Sequence, residues 1–579
     1  MTSVIRPFIP ATAKRLLPNR WDLIAFPLIL GFLLFATTGI EGTWAPISAL
    51  QTEPISLDAA NLPEYALRTT LRMLAAMFAS IVFTLIYGTL AAKSRRAGQL
   101  LVPILDILQS VPVLGYISFS VTFFLALFPG RVLGAEFAAI FAIFTSQAWN
   151  MTFSFYQSLR TVPNDLKEVS QNLRLSGWQK FWKLEVPFSM PGMIWNMMMS
   201  MSGGWFFVVA SEAITVGDKT VTLPGVGSYL AMAIAQKNLT AVGWVILTMT
   251  VVIIIYDQFL FRPLVAWADK FRLEDTMSQA APESWVLNLI QRTRVIQQIL
   301  RPFGKLLKKL ARLRLNISLP RAIHTESHAG VSRGLDIIWG AFITLLVGYV
   351  CWRLYSFISS EVGLGETFKV VGLGFITLIR VTLLIALASV IWVPLGVLIG
   401  LRPRLAEMIQ PVAQFLAAFP ANLLFPVFVV FIVHFKLNPD IWLSPLIVLG
   451  TQWYILFNVV AGASAFPNDF REAATNFHIK GWQWWRQVML PGIFPYYITG
   501  AITASGGAWN ASIVSEMVSW GDDKLAAHGL GAYIAQMTAA GDFPKILLGI
   551  CVMSLFVVLF NRLLWRPLYA IAENKLRLN

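Results

Sequence analysis

Ionisable side chains are scarce in this chain, 13% of 579 residues, so those at the edges of long apolar runs carry information. Glu212 and Glu516 each close an apolar run and lead into a Gly-rich block: Ser211-Glu212…Gly217-Asp218…Gly225-Val226-Gly227-Ser228-Tyr229, and Ser515-Glu516…Gly521-Asp522…Gly529-Leu530-Gly531-Ala532-Tyr533. A carboxylate at the end of an apolar span is costly, and so marks either function or a tight partner. Two chemistries fit. The carboxylate holds the Gly-rich turn through backbone N–H groups, or it pairs with a cation beside a transport path. Arg68, Arg72 and Arg380 also sit in apolar runs. Arg68 and Arg380 are placed as counterparts, with Arg72 one turn deeper. They either snorkel to the interface or draw anions to an outer mouth. Gln147, Asn150, Gln452 and Asn510 are polar groups at similar depth, suited to helix-to-helix hydrogen bonds or to a solute.

Several chemistries are excluded. No G-x-x-x-x-G-K-[ST] phosphate loop occurs, so the chain is not expected to hydrolyse ATP. The five His do not cluster as metal ligands, and no nucleophile motif appears. No catalytic residue, metal or resident cofactor is expected.

Two polar stretches interrupt the apolar pattern, at 163–187 and 467–491. The second reads Glu472-Ala473-Ala474, then Gly481, then Leu490-Pro491; the first reads Glu168-Val169-Ser170, Gly177, Val186-Pro187, in the same spacing 304 residues earlier. Asp469/Glu472 and Asp165/Glu168 form D-x-x-E pairs, which predict capped helix starts. Pro163 and Pro467 block any helix entering from upstream. Phe470, Ala473, Ala474 and Phe477 share a helical face. Gly177 and Gly481 are expected at left-handed helix ends.

Composition sets the environment in which these groups act. The chain is 56% hydrophobic, and its apolar runs of about 20 residues are long enough to cross a bilayer. The net charge of +15 does not signal nucleic acid, because its distribution reports orientation. Arg6, Lys14, Arg15 and Arg20 precede the first apolar run, whereas Glu41 to Glu64 holds acids and no Lys or Arg. Positive charge marks the cytoplasmic side, so both termini are expected inside. The run Leu23 to Thr38 is read as an anchor. Further spans are predicted at Thr69–Ala92, a segment ending near Phe128, Leu133–Phe155, Met193–Thr215 and Val242–Phe261, then Leu335–Phe357, Phe375–Leu401, Leu423–Phe435, Ile441–Ala463, Ile493–Val518 and Ile546–Trp565. Trp149 with Trp453, Trp205 with Trp509, and Arg262-Pro263-Leu264 with Arg566-Pro567-Leu568 keep the 304-residue offset. The predicted fold is therefore all-α and polytopic, with about twelve transmembrane helices. It comprises a first half at 1–271, a linker at 272–334 and a second half at 335–579. Between Arg292 and Arg321 the linker carries nine Lys or Arg and no acid. Phe303, Leu306, Leu307 and Leu310 form an apolar stripe beside Lys305, Lys308 and Lys309, a pattern that suits anionic lipid.

The E-A-A, nine-residue step to Gly, then L-P pattern resembles the signature loop of permease subunits of ABC importers. The W…(A/S)E…G-L-G block resembles their nitrate, sulfonate, taurine and bicarbonate branch. The resemblance covers both halves and leaves out the linker. It implies two tandem six-helix type I importer permease domains in a bacterial inner membrane. It also implies two ABC ATPase subunits carrying ATP-Mg, and a periplasmic or lipid-anchored substrate-binding protein. Glu168, Val169, Ser170, Gly177, Glu472, Ala473, Ala474 and Gly481 would then form the ATPase-docking loops, with Glu212, Glu516, Arg68, Arg72 and Arg380 as candidates for the path or its gate. The solute would be a small anion of the nitrate, sulfonate or bicarbonate kind. The competing reading is a twelve-span secondary carrier of the major-facilitator type. Such a carrier carries a G-x-x-x-D-R-x-G-R-R loop, and the corresponding Gly88 to Arg96 here has no Asp.

Overall fold

The computed structural model describes residues 55–216, 219–271, 284–314, 329–464 and 466–575. The expected anchor at Leu23–Thr38, the pair Gly217-Asp218 and parts of the linker lie outside the described residues. The first half runs through α1 (Leu62–Lys93), α2 (Arg95–Ser110), α3 (Val113–Leu127), α4 (Val132–Arg160), α5 (Asn164–Asn172), α6 (Gly177–Lys180) and α7 (Val186–Glu212). A hairpin of β1 (Ala213–Val216) and β2 (Lys219–Thr222) follows, then α8 (Val226–Ala235), α9 (Leu239–Tyr256) and α10 (Arg262–Ala268). The linker contributes α11 (Trp285–Arg292) and α12 (Arg294–Arg312).

The second half repeats the plan: α13 (Ala329–Ser359), α14 (Leu364–Gly400), α15 (Pro403–Ala418), α16 (Phe425–His434), then the short α17 (Pro439–Trp442), α18 (Ser444–Leu449) and α19 (Trp453–Ser464). It continues with α20 (Asn468–Asn476), α21 (Gly481–Trp484), α22 (Leu490–Ser515), β3 (Met517–Trp520), β4 (Asp523–Ala526), α23 (Leu530–Ala540), α24 (Phe543–Phe560) and α25 (Arg566–Lys575). The protein is an all-α membrane fold of two domains, with one small antiparallel hairpin in each.

Among the described residues six helices are long and apolar enough to cross a membrane, or nine if each of three bent pairs is one span. Three predicted spans therefore differ from plain helices. Ile441–Ala463 is broken into α17–α19 with a 45° bend, α15 meets the segment Ala421–His434 that contains α16 at 78°, and the fifth span bends by 42° between Met201 and Gly203. The fifth span ends at Glu212 and the eleventh at Ser515, because the next residues, expected to continue helix, pair as β-strands instead. α22 is 26 residues, about 39 Å of helix, but its many Gly, Ala, Ser and Thr dilute its apolar character.

Pi-helical turns occupy Phe181–Glu185 and Trp485–Met489, and again Asp257–Phe261 and Asn561–Trp565, each pair 304 residues apart. Pro187, Pro491, Pro263 and Pro567 stand two residues after the end of each turn. A proline ring clashes with the carbonyl four residues back and offers no N–H, so the preceding turn widens to absorb the defect. Two large apolar cores form, built around Trp205 and Trp509, each 1% exposed. The halves interlock: β1 packs on α23, β3 packs on α8, and the Gly521 N–H donates to the Ile234 carbonyl at 2.9 Å. Asn510 accepts the Val113 N–H at 2.7 Å, and Asn422 donates to the Phe206 carbonyl at 3.1 Å.

Candidate functional site

At the far end of α7 the sequence places Thr69, Arg72, Glu136 and Glu212 in one buried ion network. Arg72 on α1 holds Glu136 on α4 with two hydrogen bonds, Nε and Nη2 each 2.6 Å from a carboxylate oxygen. Its Nη1 donates to Glu212 Oε1 at 2.7 Å and to the Pro224 carbonyl at 2.9 Å. Thr69 donates to Glu212 Oε1 at 2.7 Å and accepts the Val226 N–H, while Glu212 Oε2 accepts the Gly227 N–H at 2.6 Å. Arg72 is 4% exposed and Glu212 is fully buried. This bidentate, charge-assisted geometry ties three helices and the Gly-rich turn together.

The second half builds the same latch less tightly. Arg380 Nη1 lies 2.6 Å from Glu516 Oε1, and Thr377 donates to the same oxygen at 3.1 Å. Glu516 Oε2 accepts the Gly531 and Ala532 N–H groups at 2.8 and 3.2 Å. Asp440 stands where Glu136 stands, but its shorter side chain leaves 3.6 Å to Arg380 Nη2 and instead accepts the His528 N–H at 2.6 Å. The glycines follow from this crowding: a β-carbon at Gly225 or Gly529 would overlap the buried carboxyl of Glu212 or Glu516.

Two expectations need correction here. Arg380 is the counterpart of Arg72, not of Arg68, because Thr69-x-x-Arg72 and Thr377-x-x-Arg380 make the same bonds in each half. Nor do these arginines snorkel: both are inside their latches, while Arg68 pairs with Glu64 at 3.0 Å at the surface. The polar residues at depth bridge neighbouring elements: Asn150 accepts from Gln109, and Gln452 accepts from Trp392. Local sequence pattern does not single out Glu136 or Asp440, and it marks Thr69 and Thr377 only through the repeated T-x-x-R spacing.

Between the two halves lies an open cleft of about 400 Å³. Val209, Ala213 and Leu230 line it from the first half, and Asn422, Phe425 and Ile513 from the second. Among the described residues lining it none is charged; Asn422, Ser519 and Thr538 supply the side-chain polarity. Neither glutamate nor arginine of the latches faces it.

The polar loops lie at the opposite ends of α7 and α22. α5 and α20 are nine-residue helices beginning beside Pro163 and Pro467. The expected D-x-x-E caps do not form: Pro163 and Pro467 occupy the cap positions, and Asp165 and Asp469 fall inside the first turn, where their charge complements the helix dipole. A capping box occurs instead at Ser176 and Gln179. The left-handed residues that end these helices are Arg174 (φ 49°) and His478 (φ 55°), closed by Leu175 N–H to Ser170 O and Ile479 N–H to Ala474 O. Gly481 is also left-handed (φ 57°), whereas Gly177 simply begins α6. Ser170 and Ala474 are buried against their own domains, and Glu168, Glu472, Val169, Leu173, Phe470, Phe477 and Trp482 stay exposed. Ala473 is half-buried.

A protein-family profile described as the binding-protein-dependent transport system inner membrane component matches residues 80–262 and 392–565, one stretch on each side of the linker. The chain belongs to this family. The family pattern occurs twice, so the chain is a duplicated permease. Over 186 residues it is 27% identical to the bicarbonate transport system permease protein CmpB of Synechococcus elongatus, covering 32% of this chain and 64% of that protein. The nitrate import permease protein NrtB of Leptolyngbya laminosa is 25% identical over 184 residues, 32% of this chain and 62% of the relative. The glycine betaine/proline betaine transport system permease protein ProW of Escherichia coli is 28% identical over 228 residues, 39% and 61% respectively. The matched stretch thus spans less than two thirds of each of these relatives.

Proposed function

We propose that this chain forms the whole transmembrane path of an ATP-driven ABC importer, with both halves contributing to one pore. One arrangement carries the reading: α7 and α22 each begin at a polar signature-type loop and end at a latch beside the shared cleft. Residues 163–187 and 467–491 receive two separate ATPase subunits on the cytoplasmic side, where both termini also lie. Val169, Leu173, Phe470 and Phe477 supply the exposed apolar contact. ATP-Mg is bound by those partners; when they close, the two loops approach and the helices they begin are rotated against each other. A periplasmic or lipid-anchored binding protein delivers the solute at the cleft end, in the bacterial inner membrane.

The solute is a small anion of the bicarbonate or nitrate class, as the names of the first relatives suggest. The uncharged lining supports a path that holds its solute weakly and leaves selection to the binding protein. A secondary carrier gives the two loops no role. The reading is tested by purification: the isolated chain is expected to hydrolyse no ATP, and native mass measurement of the assembled transporter should find one copy with two ATPase subunits. Hydrolysis by the chain alone, or two copies per ATPase pair, would overturn it.

A further inference from the structure

Among the described residues, the basic linker helix bonds to the first signature loop and makes no such bond to the second. Trp178 Nε1 donates to the Leu310 carbonyl at 2.7 Å, and Gln179 Nε2 donates to the Arg312 carbonyl at 2.9 Å. These carbonyls belong to the last turn of α12, where the regular helical donors run out; the Leu310 carbonyl otherwise receives only the capping Leu313 N–H, at 3.2 Å. Gly177-Trp178-Gln179 recurs as Gly481-Trp482-Gln483, yet Trp482 is 73% exposed and Gln483 is exposed too. Trp178 and Gln179 therefore hold a helix end in one half, while their counterparts face outward in the other.

The other end of the linker is anchored as well. On α11, Trp285 donates to Gln258 at 3.1 Å and stacks edge-on against Phe259 at 5.4 Å, with Val286 and Leu289 buried. Gln258 and Phe259 lie where the α9 span gives way to α10, and α6 lies just before the α7 span. Both fixed points are thus polar ends of membrane spans. A helix of 19 residues, about 28 Å long, held between two such points runs along the membrane boundary rather than away from it. Its Lys305, Lys308, Lys309, Arg301 and Arg312 are exposed, and so are Leu306 and Leu310. No acid occurs anywhere between Arg292 and Arg321. A basic helix with exposed leucines at that boundary complements an anionic headgroup surface.

We propose that α12 binds anionic phospholipid at the membrane surface and that this contact fixes the first signature loop, through Trp178 and Gln179, while leaving the second loop free. That the loop docks an ATPase is the reading given above; the lipid contact and its hold on α6 do not depend on it. The consequence is a transporter whose two docking positions respond differently to the charge of the bilayer.

The test uses the full chain in nanodiscs of phosphatidylcholine, with or without phosphatidylglycerol, and reads backbone hydrogen exchange. Phosphatidylglycerol is expected to slow exchange at 300–313 and 176–184, with 480–488 unchanged as an internal reference. Each Lys beside an anionic surface is worth about five-fold in affinity. The variant K305Q/K308Q/K309Q should therefore lose on the order of a hundred-fold, removing both effects. High salt should do the same. The variant W178A/Q179A should keep lipid protection at 300–313 and lose it at 176–184. No lipid effect at 300–313, an equal effect at 480–488, or an undiminished effect at 176–184 in W178A/Q179A would overturn the proposal. No ATPase is present, so failure of docking leaves these outcomes untouched.

Discussion

Replacing Arg72 with Gln should destabilise the protein more than replacing Arg380 with Gln, although the two arginines hold equivalent positions. Removing Arg72 strands two carboxylates at once: Glu212 is fully buried, and the Glu136 side chain is 11% exposed. Orphaning one partner of a buried ion pair costs about 3–5 kcal/mol, so R72Q is expected at the top of that range. Arg380 strands only Glu516, because the Asp440 side chain is 37% exposed and keeps its bond to the His528 N–H. Glu516 also keeps two backbone N–H donors. A loss of about 1–3 kcal/mol is expected there, the cost of one partly compensated buried acceptor. A compensated variant, R72Q with Glu136→Gln and Glu212→Gln, should recover most of the loss. A buried charge network replaced by neutral groups is often near-neutral, and a Gln at 212 can still accept the Gly227 N–H. The assay is the unfolding midpoint of purified protein in mixed detergent, followed by far-ultraviolet circular dichroism. If R72Q is no worse than R380Q, or the compensated variant is no better than R72Q, the latch reasoning fails.

Gly225→Ala should cost about 1–3 kcal/mol in the same assay, an overpacking penalty, because its β-carbon meets the Glu212 carboxyl; Gly203→Ala, with open space around it, should be near-neutral. Gly481→Asp should reduce substrate-stimulated ATP turnover of the assembled transporter more than Gly177→Asp. Only Gly481 has a left-handed backbone, where a side chain costs about 1–2 kcal/mol, and equal losses would remove the ranking. Asn510→Ala deprives the buried Val113 of the acceptor for its N–H across the two halves, and should lower the midpoint by an amount matching about 1–3 kcal/mol. An unchanged midpoint would mean that this bond does not hold the halves together.

The duplication, most spans and both loop helices were legible because each leaves a local mark: an apolar run, a proline start, a repeated spacing. What failed was whatever depends on a partner. Arg68 looked like the match for Arg380 because apolar runs carry no internal register; only the bonds of Thr69 and Thr377 fix it. Gly177 looked like a helix end, but Arg174 takes the left-handed position, a placement non-glycine residues adopt less readily and sequence seldom announces. The hairpins were hidden because Ala213–Val216 and Met517–Trp520 continue apolar runs that read as helix. The grip of Trp178 on Leu310 joins positions 132 apart, and nothing local encodes it.

Fusion of the two halves has a structural consequence beyond fixing their ratio. In a symmetric pair of identical permeases, every substitution appears twice and both docking loops must be the same surface. Here the copies keep one framework, with matching latches, pi-helical turns and loop helices, while diverging in how firmly each is tied. The first half has the tighter latch, and its loop is further held by Lys93 on Glu185 at 2.6 Å and by the linker helix. The second half has Met489 where Glu185 stands, an exposed Trp482 and a looser Asp440. A single linker can serve only one of two loops, so the asymmetry is a direct product of joining them in one chain. The helix middles have diverged as well: Met197-Met198-Met199 on α7 corresponds to Ala501-Ile502-Thr503 on α22, while Pro187 and Pro491, Trp205 and Trp509, and the latch glutamates are kept, so what the two copies share is the set of fixed points and not the wall between them.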